Sequence, residues 1–191
     1  MNRLAMPWLI LIALLLNACA SQPKPNETAE AWLKPGVRVS LPAPDFAQPF
    51  NQQQLLTATV DGKTQSLLVL LNVDGNALQL AGLSPLGIRL FKLTYDPQGI
   101  HTEQAINIAH LPPANQVLAD IMFCYWPVSR WQPLLPAGWT LQDRGMRRIL
   151  SDNQGHEITR IDYVTRGGQR QPVSITQRAF HYHITIQNVD E

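Results

Sequence analysis

The chain has 191 residues, the length of one domain once an N-terminal address is removed. Charged residues are 15% of it and hydrophobic ones 45%, enough for a real core and too apolar for a disordered tail. Arg3 is the one charge ahead of Cys19, so the rest carries 14 of the 15 Lys and Arg residues against all 14 acidic ones; that balance argues against nucleic acid as a partner.

Met1-Asn2-Arg3 followed by the apolar run Leu4–Leu16 has the size of a signal-peptide core, too short to span ~30 Å of hydrocarbon. Leu16-Asn17-Ala18-Cys19 resembles the lipobox of bacterial lipoproteins. That resemblance implies residues 1–18 as a cleaved signal peptide, and Cys19 carrying a thioether-linked diacylglycerol and an N-acyl chain; no other cofactor is expected. Several chains would anchor far more firmly than one, at ~0.8 kcal/mol per buried CH₂. Ala20-Ser21, with no Asp after the cysteine, points to the outer membrane of a Gram-negative cell, on its periplasmic face. An acylated Cys19 cannot pair with Cys124. The proline-rich residues 19–49 read as a tether with one helical turn around Glu27–Leu33.

Residues 50–191 read as the folded domain. Strands are expected at Leu55–Val60, Thr64–Val73, Ala77–Leu83, Gly87–Tyr95 and Gly99–Ile106, with turns at Asp61-Gly62 and Asp74-Gly75-Asn76. Leu67–Leu71 is apolar on both faces, and so is the strand with Leu90, Phe91 and Leu93, so helices or a ligand must cover a second face. Pro112-Pro113 opens a helix over Ala114–Tyr125, whose Val117, Leu118, Ile121, Met122 and Tyr125 recur at three- and four-residue spacing. Trp126-Pro127 ends it. After a passage with Trp131, Leu134, Leu135 and Trp139 come strands at Met146–Ser151, Glu157–Thr165, Pro172–Gln177 and Phe180–Gln187. The last puts Phe180, Tyr182, Ile184 and Ile186 on one face, and His181, His183, Thr185 and Gln187 on the other.

Little in this pattern speaks for catalysis. His181 and His183 lack a third ligand nearby and read as exposed strand histidines rather than a metal site. Ser84 in Gly82-Leu83-Ser84-Pro85-Leu86-Gly87 departs from the G-x-S-x-G nucleophile elbow in both spacing and setting. Cys124 reads as a small core hydrophobe. The arginines between positions 144 and 178 form either a solvated sheet face or a side turned to lipid headgroups. No enzyme is expected.

The order of strands, apolar helix and strands behind a lipobox is similar to the LolA/LolB family of lipoprotein carriers. Leu80–Gly87 resembles the outer-membrane receptor's apolar strand leading into an Asn-Pro-Leu-Gly turn, with Ser84 in place of the asparagine. Leu93–Gly99 and Gly155–Tyr163 continue the likeness, and Phe123-Cys124-Tyr125-Trp126-Pro127 resembles the DUF3261 lipoproteins associated with aryl polyene clusters. The resemblance implies an α+β fold: an incomplete antiparallel β-barrel with helices over its concave apolar side and a cavity for acyl or polyene chains. Leu68, Leu70, Leu80, Phe91, Leu93, Leu118, Ile121 and Met122 would line that cavity. Leu86 would project toward the membrane and help pass cargo into it; the alternative is a plain buried turn leucine with no such role. The implied partners are outer-membrane lipids, a lipidated or hydrophobic cargo and a periplasmic LolA-like carrier. A non-catalytic docking role in an envelope machine is the alternative.

Overall fold

The computed structural model describes residues 28–45, 48–104 and 112–189; the expected signal segment, Cys19 and the expected strand end at Ala105 and Ile106 lie outside them. Twelve strands and two short helices make up the described chain. A two-stranded hairpin, β1 (Glu30–Lys34) and β2 (Val37–Ser40), precedes a ten-stranded antiparallel sheet that does not close on itself. Its strands are β3 (Phe50–Val60), β4 (Lys63–Val73), β5 (Leu78–Leu83), β6 (Arg89–Asp96), β7 (Gly99–Gln104), β8 (Thr140–Arg144), β9 (Arg147–Ser151), β10 (Glu157–Arg166), β11 (Gln169–Gln177) and β12 (Tyr182–Asn188). The order across the sheet is β7-β6-β5-β4-β3-β12-β11-β10-β9-β8.

Local chemistry explains the hairpins. Asp61 and Gly62 both have positive φ (47° and 76°), which matches the right-handed twist of β3 and β4 and sets their register from Val60↔Lys63 to Phe50↔Val73. At the next turn Asp74 Oδ1 accepts the backbone N–H groups of Asn76 and Ala77. In β5, Gly82 lies opposite Phe91, and a Cβ on residue 82 would collide with the Phe91 ring; the missing side chain is what lets that ring lie flat on the strand.

Helix α1 (Ala114–Tyr125) and the single turn α2 (Val128–Trp131) connect β7 to β8, the two outer strands, so this connection must cross the sheet. Pro113 precedes α1 in an extended conformation, and Trp126, also extended, ends it ahead of Pro127. The register brings Leu71, Leu80 and Leu93 into one cross-strand row. With Val69, Val73, Leu78 and Tyr95 these residues share one face and pack in a single buried cluster with Leu118, Ala119 and Met122 of α1. We call this the covered face.

The structure corrects the sequence reading at the N-terminal stretch, at β8 and at β12. Residues 30–40, expected as tether with a helical turn, form the β1–β2 hairpin about Pro35-Gly36 (Gly36 φ 80°), with Ala31, Leu33 and Val39 buried in the common core. Gln177 donates to the Leu33 carbonyl and Lys34 pairs with Asp152, so the hairpin is tied to the C-terminal strands. β8 was not expected. β12 begins at Tyr182, leaving Phe180 and His181 in the preceding turn, where His181 has φ 55° and does not share a strand face with His183.

Candidate functional site

The loop from Ser84 to Ile88 is the most exposed apolar feature described. Gly87 N–H donates to the Ser84 carbonyl (2.8 Å) and Ser84 N–H to the Ile88 carbonyl (2.9 Å), with Gly87 at φ 78°. This is a three-residue hairpin loop, a tight turn followed by a left-handed glycine. Ser84 Oγ also accepts from the N–H groups of Leu86 and Ile88 (3.3 and 3.2 Å), so the hydroxyl serves the turn. Leu86 stands at the tip, 87% exposed, with Ile88 55% exposed beside it. The turn backbone is held, and its apolar side chains face outward.

The expected lining residues divide between the two faces of the sheet. Leu80, Leu93, Leu118 and Met122 are 1% exposed or less, and Phe91 is buried with them. Ile121 packs at the margin of this cluster. These residues fill the space between α1 and the sheet with their own side chains. Leu68 and Leu70 point the other way. Leu68 stands in the row Leu55–Leu68–Leu83 and Leu70 in the row Gln53–Leu70–Ala81–Lys92, on the face without α1. There a shallow groove of about 340 Å³ is bordered by Leu70 and Ala81 and by the polar side chains of Asn51, Asn72, Gln79 and Lys92. The apolar character of β4 on both faces thus reflects one packed face and one partly exposed face.

Along its β3 and β12 flank α1 meets polar groups that sequence reasoning missed. Tyr182 donates its hydroxyl to Asp120 Oδ2 (2.7 Å); burial raises the Asp120 carboxyl to about 7, against the hydrogen bonds from Tyr182 and Gln116, which work to lower it. Gln54 Nε2 donates to Tyr125, Gln52 and Asn188, and the Tyr125 hydroxyl donates to Gln52 Oε1 (2.6 Å). At the C-terminal end of α1, Arg148 Nη1 donates to the carbonyls of Phe123 and Trp126 (2.8 and 2.7 Å), and the Tyr163 hydroxyl to that of Cys124 (2.8 Å). Arg148 also binds Asp143 through Nε and Nη2, both at 2.9 Å. The one available signal was the polar alternation of Gln52 and Gln54 in a strand and of Asp120 between Ala119 and Ile121.

Cys124 is buried, and burial pushes its thiol well above the ordinary range, which suits the core role expected of it and not a nucleophile. Among the described residues no three His, Cys, Asp or Glu side chains cluster to hold a metal, and no helix is long and apolar enough to cross a membrane. His183 Nδ1 hydrogen-bonds Thr176 Oγ1.

Fold and site define a mostly antiparallel β-sheet protein: an open ten-stranded sheet, one face covered by a helical crossover, with an apolar turn projecting from β5–β6. The chain belongs to the DUF3261 family, described as a protein of unknown function, whose model matches residues 51–190. No curated protein matches the chain.

Proposed function

We propose that the protein is an outer-membrane lipoprotein, anchored through Cys19 and facing the periplasm, whose sheet is a LolA/LolB-like half-barrel that binds acyl or polyene chains. Its task is to pass a lipidated cargo, an aryl polyene-type lipid or a lipoprotein received from a LolA-like carrier, into the outer membrane. The observation that carries this reading is Leu86, 87% exposed on a turn closed by backbone hydrogen bonds between Ser84 and Gly87 and between Ser84 and Ile88. A rigid turn presenting leucine and isoleucine to solvent gains when those side chains enter lipid, at ~25 cal/mol per Å². Loading requires α1 to lift from the covered face, and its polar flank along β3 and β12 can be rehydrated at less cost than an apolar one.

Leu86→Glu is the direct test. A surface substitution shifts stability by only ~0.5 kcal/mol, so an unchanged melting temperature is expected together with slowed release of a fluorescent fatty acid to anionic vesicles. Release at the wild-type rate would remove the loop from the mechanism.

A second reading is favoured by the filled interior at Leu80, Leu93, Leu118 and Met122. It makes the protein a non-catalytic docking lipoprotein of an envelope export or synthesis machine. Native mass spectrometry of the chain extracted from membranes separates the two: a bound lipid is expected of a carrier, while no adduct and no uptake of the fatty acid would leave the docking role.

A further inference from the structure

Where α1 ends, the charges on the covered face do not balance. Asp143 receives Arg148 side-on and Arg170 through Nη1 (2.8 Å), so one carboxylate serves two guanidinium groups. Their other partners among the described residues are neutral. The Tyr163 ring lies under Arg170 at 3.7 Å, its hydroxyl held above the ordinary range by burial, and the carbonyls of Phe123 and Trp126 carry no formal charge. Other acids of these strands, Glu157 and Asp162, are engaged by Arg147, Arg160 and Arg178. Among the described residues one positive charge is left over in a partly buried place, where an unmatched ion is costly.

Arg170 itself shows where the missing charge belongs. Its Nε and Nη2 atoms are shut off from solvent and have no hydrogen-bond partner. These two atoms form the edge of the guanidinium that receives two oxygens side-on, the mode Arg148 uses on Asp143. Buried donors are satisfied in nearly every folded protein, so a vacant pair on one edge asks for a ligand. The guanidinium lies over the Tyr163 ring on β10 and reaches Asp143 on β8, so it sits on the side of β11 away from β12.

We propose that Arg170 is the binding residue of an anion site, over the Tyr163 ring between β11 and β8, that takes a carboxylate or phosphate group through Nε and Nη2. Asp143 and the Tyr163 ring position the guanidinium, and entry requires the side chains around it to separate. The oxygens belong either to the end group of an amphiphile or to a free small anion. The site stands apart from the role given to Leu86, and neither depends on the other.

The test is calorimetric titration of the full-length chain, in neutral detergent, with hexanoate, its uncharged counterpart hexanamide, and inorganic phosphate. Hexanoate is expected to bind the wild type at least about tenfold more tightly than hexanamide, the size of a charge-assisted bidentate contact. Arg170→Gln should abolish that preference, and Arg170→Lys should keep only part of it, because an ammonium presents no fork. Phosphate binding as well as hexanoate would support the site with a free anion as its ligand; hexanoate binding without phosphate would support it with an amphiphile's end group. Should Arg170→Gln fail to fold, the ¹⁵Nε resonance of Arg170 in the wild type, expected to move during the hexanoate titration, decides the matter. No anion binding to the wild type, an unmoved resonance, or wild-type affinity in a folded Arg170→Gln would overturn the proposal.

Discussion

Arg148→Ala is expected to destabilise the fold by about 3–5 kcal/mol, the usual cost of removing one partner from a buried ionic arrangement. The reason lies in what the side chain holds together. Its Nη1 alone satisfies two carbonyls at the end of α1, where a helix leaves its last acceptors without internal partners, and α1 supplies no basic residue in its own last turn. Buried acceptors left bare cost ~1–3 kcal/mol each. Asp143 would keep Arg170, so the loss falls on the helix rather than on the carboxylate. Urea denaturation at neutral pH measures the effect, and hydrogen exchange should show residues 122–126 opening first. A loss below about 1 kcal/mol would mean that the end of α1 is held by something else.

Asp120→Asn has the second large effect, and its sign depends on pH. The Asp120 carboxyl stands at about 7 in the fold against an ordinary 3.8. Below pH 4 both folded and unfolded chains carry the proton, and the group contributes nothing to the difference. As pH rises from about 4 to 7 the unfolded chain releases its proton while the folded one retains it, so stability falls through that window and levels off above it. Three units correspond to at most ~4 kcal/mol, less whatever hydration the partly buried residue keeps. Asparagine cannot ionise and still offers an oxygen to Tyr182. The variant should therefore exceed the wild type in stability at pH 8 and match it at pH 4, in urea midpoints taken across that range. Parallel curves would show Asp120 to be an ordinary hydrated carboxylate. The opposite limb belongs to Asp152, which Lys34 and the backbone N–H groups of His156 and Gln154 hold at about 2; its contribution is present above pH 4 and disappears as pH falls towards 2.

Much of the architecture could be read locally. Asp61-Gly62 and Asp74-Gly75 are turns because their chemistry is contained within a few residues, and α1 spans Ala114–Tyr125 as expected because prolines bound it on both sides. Pro35-Gly36 carried the same kind of signal, flanked by Leu33 and Val37, but the surrounding prolines made the stretch read as tether. β8 has a single buried residue, Leu141, among polar ones, so no alternation marked it. The assignment of faces failed at Leu68 and Leu70 because a strand apolar on both sides has two equally good orientations; only pairing with Gly82 and Leu80 on β5 decides which side meets α1. The cluster of Asp143, Arg148, Tyr163 and Arg170 was invisible for another reason: its members lie on four strands and meet only once the C-terminal strands pair.

An open sheet has two free borders, and a free border is where a second copy can add its own strand and start a fibre. This chain blunts both. β8 is five residues long and ends in the exposed charges of Asp143 and Arg144, while β7 is six residues long and carries Glu103 near its end. The connection between them reinforces the protection, since α1 packs beside β7 and α2 beside β8. The segment that covers the apolar face thus also guards the two strands it joins, so a lift of α1 large enough to admit a lipid would bare the β7 border and expose the protein to self-association while it is open.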